Sequence, residues 1–586
     1  MKNPKTADTP ARPEFREDDT WFSDEQLAQL SPADHADALH APIPTQMVSN
    51  GEYMPLPQTL KQKQVEARML EIADGAAKKL NTSRRSFLKT SGGMAAGFLA
   101  MNEVFGRFFD VHVDELFMSK ATAATNGIGA PPNLFVFDDQ LHIIRSSRGG
   151  PGNALRDIAA GNPSALNPRN LPDELNGINT PWNPAVVGLP NVNENFHLAQ
   201  FMKDVYLDSQ VTVGIMTNNN SAAVPGEAGS RPPKNVAESE ANEFLTARQT
   251  MATRDWVNKI SGSTRMLGHG QLYTGVGNLW FIQQQIDELH PDSWKGYTVA
   301  TAAKVDNDPN SDMRRWRLDD EAVAYPTYDL IARNRRQLKK YPGFFNMCIH
   351  KGLNTTAGPI AELGHPADIP KAARDWPEFN FIIYHACFRP SFWALSALEE
   401  VRSGVLREGV PDISWTTEFA VLAAPYPNVQ AELGTTFAST VITFPTVCAH
   451  ILGQLLKFMG EDRVVFGSDG VWYGSPQWQI EAFWRFQIPD ELCRQYGYPK
   501  LTESIKRKIL GLNSARNYKL PPASAPDGGP YKPVPANFEP LIPLELKTIL
   551  EYPGYVADNM SRMKETYLAS GGTADHTRYG WMRKRG

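Results

Sequence analysis

The sequence predicts a (β/α)8 barrel, a TIM barrel with long loops and an extension at each end. Three observations predict it. Eight short apolar runs alternate with helix-like stretches between residues 132 and 520, ligand-capable side chains gather at the ends of those runs, and no Gly-rich dinucleotide fingerprint follows the first of them. The runs are Asn133–Asp138, Ser209–Met216, Thr264–Gly268, Gly296–Ala300, Phe344–Ile349, Phe379–Tyr384, Val429–Leu433 and Arg463–Gly467. Between them, stretches such as Asp329 to Lys340 and Val447 to Gly460 read as helices. Alternation of this kind calls for a parallel sheet with right-handed crossovers, and eight repeats close it into a barrel. An open doubly wound sheet is the alternative, disfavoured by the missing glycine turn.

Composition narrows the class. The 586 residues would divide into about four average domains, yet barrels with insertions run longer as one unit. Lys+Arg 59 against Asp+Glu 64 leaves a net charge of −5, which excludes a nucleic-acid footprint and an acidic tail. A 41% hydrophobic content with 10% aromatics supports a sizeable core and excludes wholesale disorder. Forty-four glycines and 45 prolines imply long structured loops, where chemistry sits on a rigid scaffold. Cys348, Cys387, Cys448 and Cys493 form no CxxC, so buried thiols are expected rather than disulfides or a zinc knuckle. No apolar run reaches the roughly 18 residues of a membrane span.

Four segments follow from the pattern: a polar leader 1–80, a signal-like segment 81–124, the barrel 132–520 and a C-terminal extension 521–586. The leader holds one helix-like stretch, Thr59 to Asp74. Ser83-Arg84-Arg85-Ser86-Phe87-Leu88-Lys89, followed by the weakly apolar Thr90 to Ala100, resembles a twin-arginine export signal, with Ala121-Thr122-Ala123 as a small-residue cleavage step. The resemblance implies recognition by the twin-arginine export machinery and a periplasmic or secreted location, or a cytoplasmic one if the signal is unused. Two other readings stay open: the arginines cap a surface helix, or the helix packs on the catalytic domain and stays. The C-terminal extension is Pro-rich, then amphipathic near Leu544 to Leu568, and is expected to wrap the barrel or meet a second subunit in a homodimer.

The polar residues mark one rim. Asp138-Asp139-Gln140-Leu141-His142 ends strand one, His269 follows strand three and Lys295 opens strand four. His350, His385 and Asp469 end strands five, six and eight. In a barrel that rim is the C-terminal face, where active sites form, and scattered core histidines would not all choose it.

These residues, with the segment Pro377 to His385, Phe466-Gly467-Ser468-Asp469 and the closing helix Ile509 to Tyr518, resemble the amidohydrolase-related family over roughly residues 133–520. That family comprises metal-dependent barrels, among them hydrolases, lactonases and non-oxidative decarboxylases such as aminocarboxymuconate semialdehyde decarboxylase. The resemblance implies one divalent metal ion, zinc before manganese or magnesium, held by His142, His350, Asp469 and Gln140. Alternation along a strand puts Asp138, Gln140 and His142 on one face, so residues 140 and 142 can share an ion. A metal-bound water would approach neutrality in its pKa, Asp469 would accept its proton, and His385 would stabilise the oxyanion or act as acid. Gln140 departs from the family, which offers His or, in some decarboxylases, Glu there. Its amide oxygen either ligates a harder metal, positions water, or leaves the site a poor binder.

Lys295 is a candidate substrate clamp or carboxylated ligand, with a solvated strand-start lysine as the alternative. Lys351 and Arg389 are candidate carboxylate binders, with surface ion pairing the alternative for each. His269 lies between Gly268 and Gly270, where a ligand can approach the backbone. Glu432 ends strand seven and is expected to support ligands from behind. Trp472 leads an aromatic cluster on the eighth loop that walls a substrate pocket or packs on the rim. His450, His35, His40 and His112 are expected to be structural. The expected function is a metal-dependent hydrolase of a small organic substrate, with no nucleic-acid partner. Non-oxidative decarboxylation of an aromatic or unsaturated acid and a catalytically degenerate binding barrel are the alternatives.

Overall fold

The computed structural model describes residues 41–45, 58–118, 122, 128–131, 134–143, 197–218, 224–226, 229–231, 245–298, 316–353, 363–389, 393–470, 472–520 and 559–569. Eight strands form one parallel sheet: β1 Phe137–Leu141, β2 Val213–Met216, β3 Met266–Gln271, β4 Ser293–Tyr297, β5 Asn346–His350, β6 Asn380–Tyr384, β7 Val429–Glu432 and β8 Val464–Val465. They pair in sequence order, each with the next. The segment after β8 closes the ring onto β1: Asp139 N donates to Phe466 O at 2.9 Å and His142 N to Gly470 O at 2.6 Å, with a parallel bridge between Leu141 and Gly470. The result is the (β/α)8 barrel that the alternation predicted.

All eight apolar runs meet a strand, but three strands lie later or earlier than expected. β1 begins at Phe137 and carries the polar Asp138, Asp139 and Gln140 inside it. β3 extends to Gln271, so His269 lies within the strand rather than after it. β4 starts at Ser293, so Lys295 sits mid-strand and buried instead of opening the strand in solvent. Hydrophobicity alone could not set these limits, because the barrel interior satisfies polar groups that an isolated strand would leave to water. The register of β1 on β2 shifts between Asp138 and Leu141, an irregularity that re-aims side chains. Alternation of side chains survives it: Phe137 and Asp139 both meet Tyr518, and Gln140 meets His142. Asp139 accepts from Ser514 Oγ at 2.9 Å and Tyr518 Oη at 3.1 Å, while Asp138 accepts from Ser468.

Cys348, Ile382, Tyr384 and Val465 form a small apolar cluster of their own, apart from the main core. The larger core runs between the sheet and its helices and continues without a break into the N-terminal segment. There, α1 Leu60–Lys79 starts on a capping box of Thr59 and Gln62, α2 Arg84–Leu88 on Ser83 and α3 Ser91–Phe105 on Thr90. Gln62 Nε2 donates to Ile442 O at 3.3 Å and Thr443 Oγ1 at 3.2 Å. The apolar run of the signal-like segment is the buried face of α3, with Met94, Ala95, Ala96, Phe98, Ala100 and Met101 all in the core. Phe98 packs on Phe109, and Phe109 on Phe486 of the barrel, with ring centres 4.8 and 5.6 Å apart. Arg485 and Glu115 form a buried pair at 2.8 Å across the same seam. Residues 58–118 thus pack as one layer on the barrel, as in the reading of a helix that packs on the catalytic domain. Ala121 and Ala123 lie outside the described residues, as do His35, His40 and most of the C-terminal extension. Its described helix, α4 Asn559–Ala569, docks on the barrel through Ser561 to Arg265 at 2.8 Å and Tyr567 to Asp208 at 3.2 Å.

All four cysteines are free and buried. Among the described residues no helix is long and apolar enough to cross a membrane. His450 lies in the helix Pro445–Phe458 and pairs with Tyr498 Oη at 3.0 Å, and burial lowers it to about 4.

Two outcomes are expected from this packing. Phe98→Ala should lose about 3–5 kcal/mol of stability in denaturant unfolding, because it opens a cavity between the layer and the barrel. His450 is neutral in the fold and takes a proton near 6.5 when unfolded, so it contributes stability above that pH, lost as pH falls towards about 4. The unfolding temperature should drop across that window, and less steeply in His450→Gln.

Candidate active site

The C-terminal rim gathers its polar residues by strand end. From β1 and its extension come Gln140 and His142, whose Nε2 atoms stand 3.3 Å apart. From the segment after β8 comes Asp469, with Oδ1 3.1 Å from His142 Nε2. Thr435 donates to Asp469 Oδ2 at 2.5 Å and meets Tyr473 Oη at 2.9 Å, which orients the carboxylate. From β5 comes His350, its Nε2 held by the carbonyl of Leu353. From β6 comes His385, with its ring 4.6 Å from that of His350 and edge-on to it. Gln140, His142, His350, His385 and Asp469 are all buried.

Backbone strain marks the same place. His385, Ala386 and Cys387 take φ of 62°, 48° and 52°, and Asp469 takes 54°. L-residues avoid that left-handed region at a cost of about 1–3 kcal/mol each, and such conformations cluster at functional sites. The turn is held by Glu432 Oε2, which accepts the His385 N–H at 3.0 Å, and by Thr436 Oγ1, which donates to His385 O at 2.6 Å. Gly352 completes it: a Cβ there would stand 2.2 Å from Phe388 O.

Burial, with Lys295 and His142 adding to it, holds His269 well below the usual imidazole range. Burial, His350 and the Lys295 charge do the same for His385, and His350 is pushed down to about 3 by burial and Lys295. Neutral imidazoles are the form that binds metal. Burial raises both Asp138 and Asp139 to about 7.

The other expected contacts divide. Lys295 Nζ lies 3.4 Å from the centre of the Tyr384 ring and 5.1 Å from that of Tyr297, so the cation sits on aromatic faces inside the barrel. His269 is spent on the scaffold: Nδ1 meets Ser293 Oγ at 2.7 Å and Nε2 meets Tyr384 Oη at 3.1 Å. Both ring nitrogens are engaged, so it is not the glycine-flanked ligand contact that its sequence neighbours suggested. Lys351 forms a buried ion pair with Asp368 at 3.0 Å rather than a substrate clamp. Arg389 is 44% exposed and turns to Ser414 and Glu400, and is not brought together with the histidines. Trp472 is buried, with its ring 5.5 Å from His142, and walls the site on that side. Tyr297 stacks on His350 at 4.8 Å.

Two side chains escaped the sequence reading. Gln271 ends β3, fully buried, and neither its amide nitrogen nor its oxygen has a hydrogen-bond partner among the described residues. Asn218, just past β2, donates to His269 O at 2.9 Å, and its Oδ1 has no hydrogen-bond partner among the described residues. The signal for Gln271 was its period-two relation to His269, invisible while the strand was taken to stop at Gly268.

The donor set fits a divalent cation. Two buried oxygens, Gln140 Oε1 and Glu432 Oε1, have no hydrogen-bond partner among the described residues, and imidazoles beside them are kept neutral. Among the described residues no three His, Cys, Asp or Glu side chains are grouped closely enough to hold a metal ion by themselves. Of the set expected from sequence, Gln140, His142 and Asp469 stand in contact, and these with His350 are the residues that a bound cation would draw together.

Residues 303–520, which take in β5 to β8, match the sequence family described as Amidohydrolase. No curated protein matches the chain. Among solved structures the chain is similar to an uncharacterized TIM-barrel protein of Bordetella bronchiseptica, with a TM-score of 0.38 and 14% identity over 66% of this chain and 98% of that one. It is also similar to 5-carboxyvanillate decarboxylase of Sphingomonas paucimobilis, at 0.34 and 11% over 66% and 99%. A third is 5-carboxyvanillate decarboxylase of Novosphingobium aromaticivorans with manganese and a nitrobenzoic acid, at 0.35 and 12% over 67% and 98%.

Thr435 is the most direct test of how Asp469 is oriented. Thr435→Val should weaken divalent-metal binding about 10- to 100-fold, read by calorimetric titration with Mn²⁺, as loss of a ligand's supporting hydrogen bond does elsewhere.

Proposed function

We propose that the chain is a divalent-metal-dependent enzyme that cleaves a bond of a small planar organic acid at the C-terminal mouth of the barrel, by non-oxidative decarboxylation. The observation that carries this reading is the convergence of His142, His350, His385 and Asp469 on one buried rim. Decarboxylation in particular is supported by the burial of the rim's side chains. Asp469 is fully buried and its two oxygens already face His142 and Thr435. A carboxylate about to leave as CO₂ gains from desolvation.

A bound divalent cation would supply positive charge to the substrate's carboxylate and a neighbouring oxygen. The chain's own residues do the rest. Trp472 and Tyr297 confine a flat substrate beside His142 and His350. Gln271 and Asn218 offer open hydrogen-bonding atoms to its polar substituents. Asp469 takes a proton from the substrate as it binds and returns it to the ring carbon once the C–C bond has broken, so the acid yields CO₂ and the protonated product. Thr435 and His142 hold Asp469 in position for both transfers.

Hydrolysis is the second reading, favoured by the His142–Asp469 pair, which is also the arrangement that would deprotonate water. Export through the twin-arginine route belongs to the same proposal. It is supported by Ser83-Arg84-Arg85-Ser86-Phe87-Leu88, in which Arg85 is exposed on the packed layer.

The test incubates metal-loaded protein with hydroxylated benzoates, lactones and amides in H₂¹⁸O. Decarboxylation predicts CO₂ release with no solvent oxygen in the organic product, and hydrolysis predicts ¹⁸O in it. Asp469→Asn should abolish turnover in either case while circular dichroism stays unchanged. Absence of turnover together with absence of metal uptake would leave a binding barrel instead.

A further inference from the structure

The site holds one carboxylate beyond those placed above. Glu432 ends β7, fully buried, and only its Oε2 is occupied, by the His385 N–H at 3.0 Å. Its Oε1 has no hydrogen-bond partner among the described residues, and the same is true of Gln140 Oε1. These two atoms and an imidazole nitrogen close on one spot. The position a Cβ would take on Gly434 is 2.9 Å from Glu432 Oε1, 2.8 Å from Gln140 Oε1 and 2.7 Å from His385 Nδ1. Glycine at 434, with φ of 39°, is what leaves room for all three. Two buried oxygens with no partner among the described residues, facing one spot beside an imidazole nitrogen, are what a bound cation would complete. Two oxygens and one imidazole nitrogen around a common point make a set suited to a divalent cation that accepts oxygen ligands, such as Mn²⁺ or Zn²⁺.

We infer that Glu432 is itself a metal ligand, and that Gln140, Glu432 and His385 contribute donors from β1, β7 and the end of β6 to the metal centre. The carboxylate charge that the amide of Gln140 lacks is supplied from β7. This inference rests on the metal-dependent reading of the rim and adds to it a ligand on a strand that the reading did not use.

The experiment is calorimetric titration of the full chain with Mn²⁺, alongside the electron paramagnetic resonance spectrum of the bound ion. Glu432→Gln keeps an acceptor for the His385 N–H and removes the charge, so a purely structural role would survive it. Mn²⁺ binding about 10- to 100-fold weaker with an altered spectrum is the expected result, in the range typical of damage to a metal site. Wild-type affinity and spectrum would overturn the inference. If Glu432→Gln does not fold, Glu432→Asp decides in its place, since it withdraws the carboxylate by one methylene. His142→Ala separates the two levels. If it abolishes binding while Glu432→Gln does not, Glu432 alone is misassigned. If neither variant, nor the wild type, shows specific Mn²⁺ binding, the metal reading itself falls.

Discussion

The site depends on a clasp between the first strand and the segment that follows the last. Asp138 accepts the Ser468 N–H at 2.8 Å and the Ser468 hydroxyl at 2.5 Å, entirely out of solvent. Those two bonds join residues 330 apart in sequence and bring the chain after β8 against β1. Gln140 and His142 lie just beyond one half of the clasp, and Asp469 just beyond the other. The 3.1 Å contact between His142 and Asp469 is therefore a consequence of barrel closure. Burial raises Asp138 to about 7, and the two donated bonds oppose that shift. The clasp holds most firmly as a carboxylate, because a charged acceptor strengthens both hydrogen bonds.

Strain is distributed in the same way. The left-handed run His385-Ala386-Cys387 turns the chain sharply off β6, and no local propensity favours it. It is held from outside by Glu432, by Thr436 and by Gly352, whose bare Cα lets the loop after β5 close over it. Three strand ends thus cooperate to aim one imidazole. A histidine needed only for packing would sit in a relaxed backbone.

The barrel was legible because its signal is repetitive: eight apolar runs, each followed by enough chain for a helix, leave little choice of topology. The convergence of His142, His350, His385 and Asp469 was legible for the same reason, since a strand's C-terminal end can face only one rim. What escaped was whatever the interior could hide. His269 and Lys295 look like mouth residues in sequence, yet Ser293, Tyr384 and Tyr297 take them up within the barrel. Gln271 looked like loop and is buried strand. Lys351 follows His350 as closely as a ligand would, but Asp368, distant in sequence, takes its charge. The apolar run after Arg84-Arg85 reads as a leader's core and is also the core of a packed helix, because short Gly/Ala-rich helices suit both.

Charge balance gives the last constraint. Asp138, Asp139, Glu432 and Asp469 bring four carboxyl groups into the barrel and its rim, all fully buried. Lys295 is the cation that the pKa shifts of Asp139 and Glu432 register, and Lys351 is already committed to Asp368. One lysine cannot offset four carboxylates in a low-dielectric interior, so either protons or a second cation must supply the remainder. Protons can serve Asp138 and Asp139, both raised to about 7, and their partners Ser468, Ser514 and Tyr518 satisfy them without a metal. Burial holds the Glu432 carboxyl well above the usual carboxylate range too, so a proton can serve it in the absence of a cation; what sets Glu432 and Asp469 apart is their company. Each faces an imidazole or its backbone, and near Glu432 an amide oxygen adds another acceptor with nothing to accept. Clustering acceptors against acceptors is costly unless a cation lies among them. A cation held there would complete those acceptors on the rim, whereas protons alone suffice for the pair on the floor.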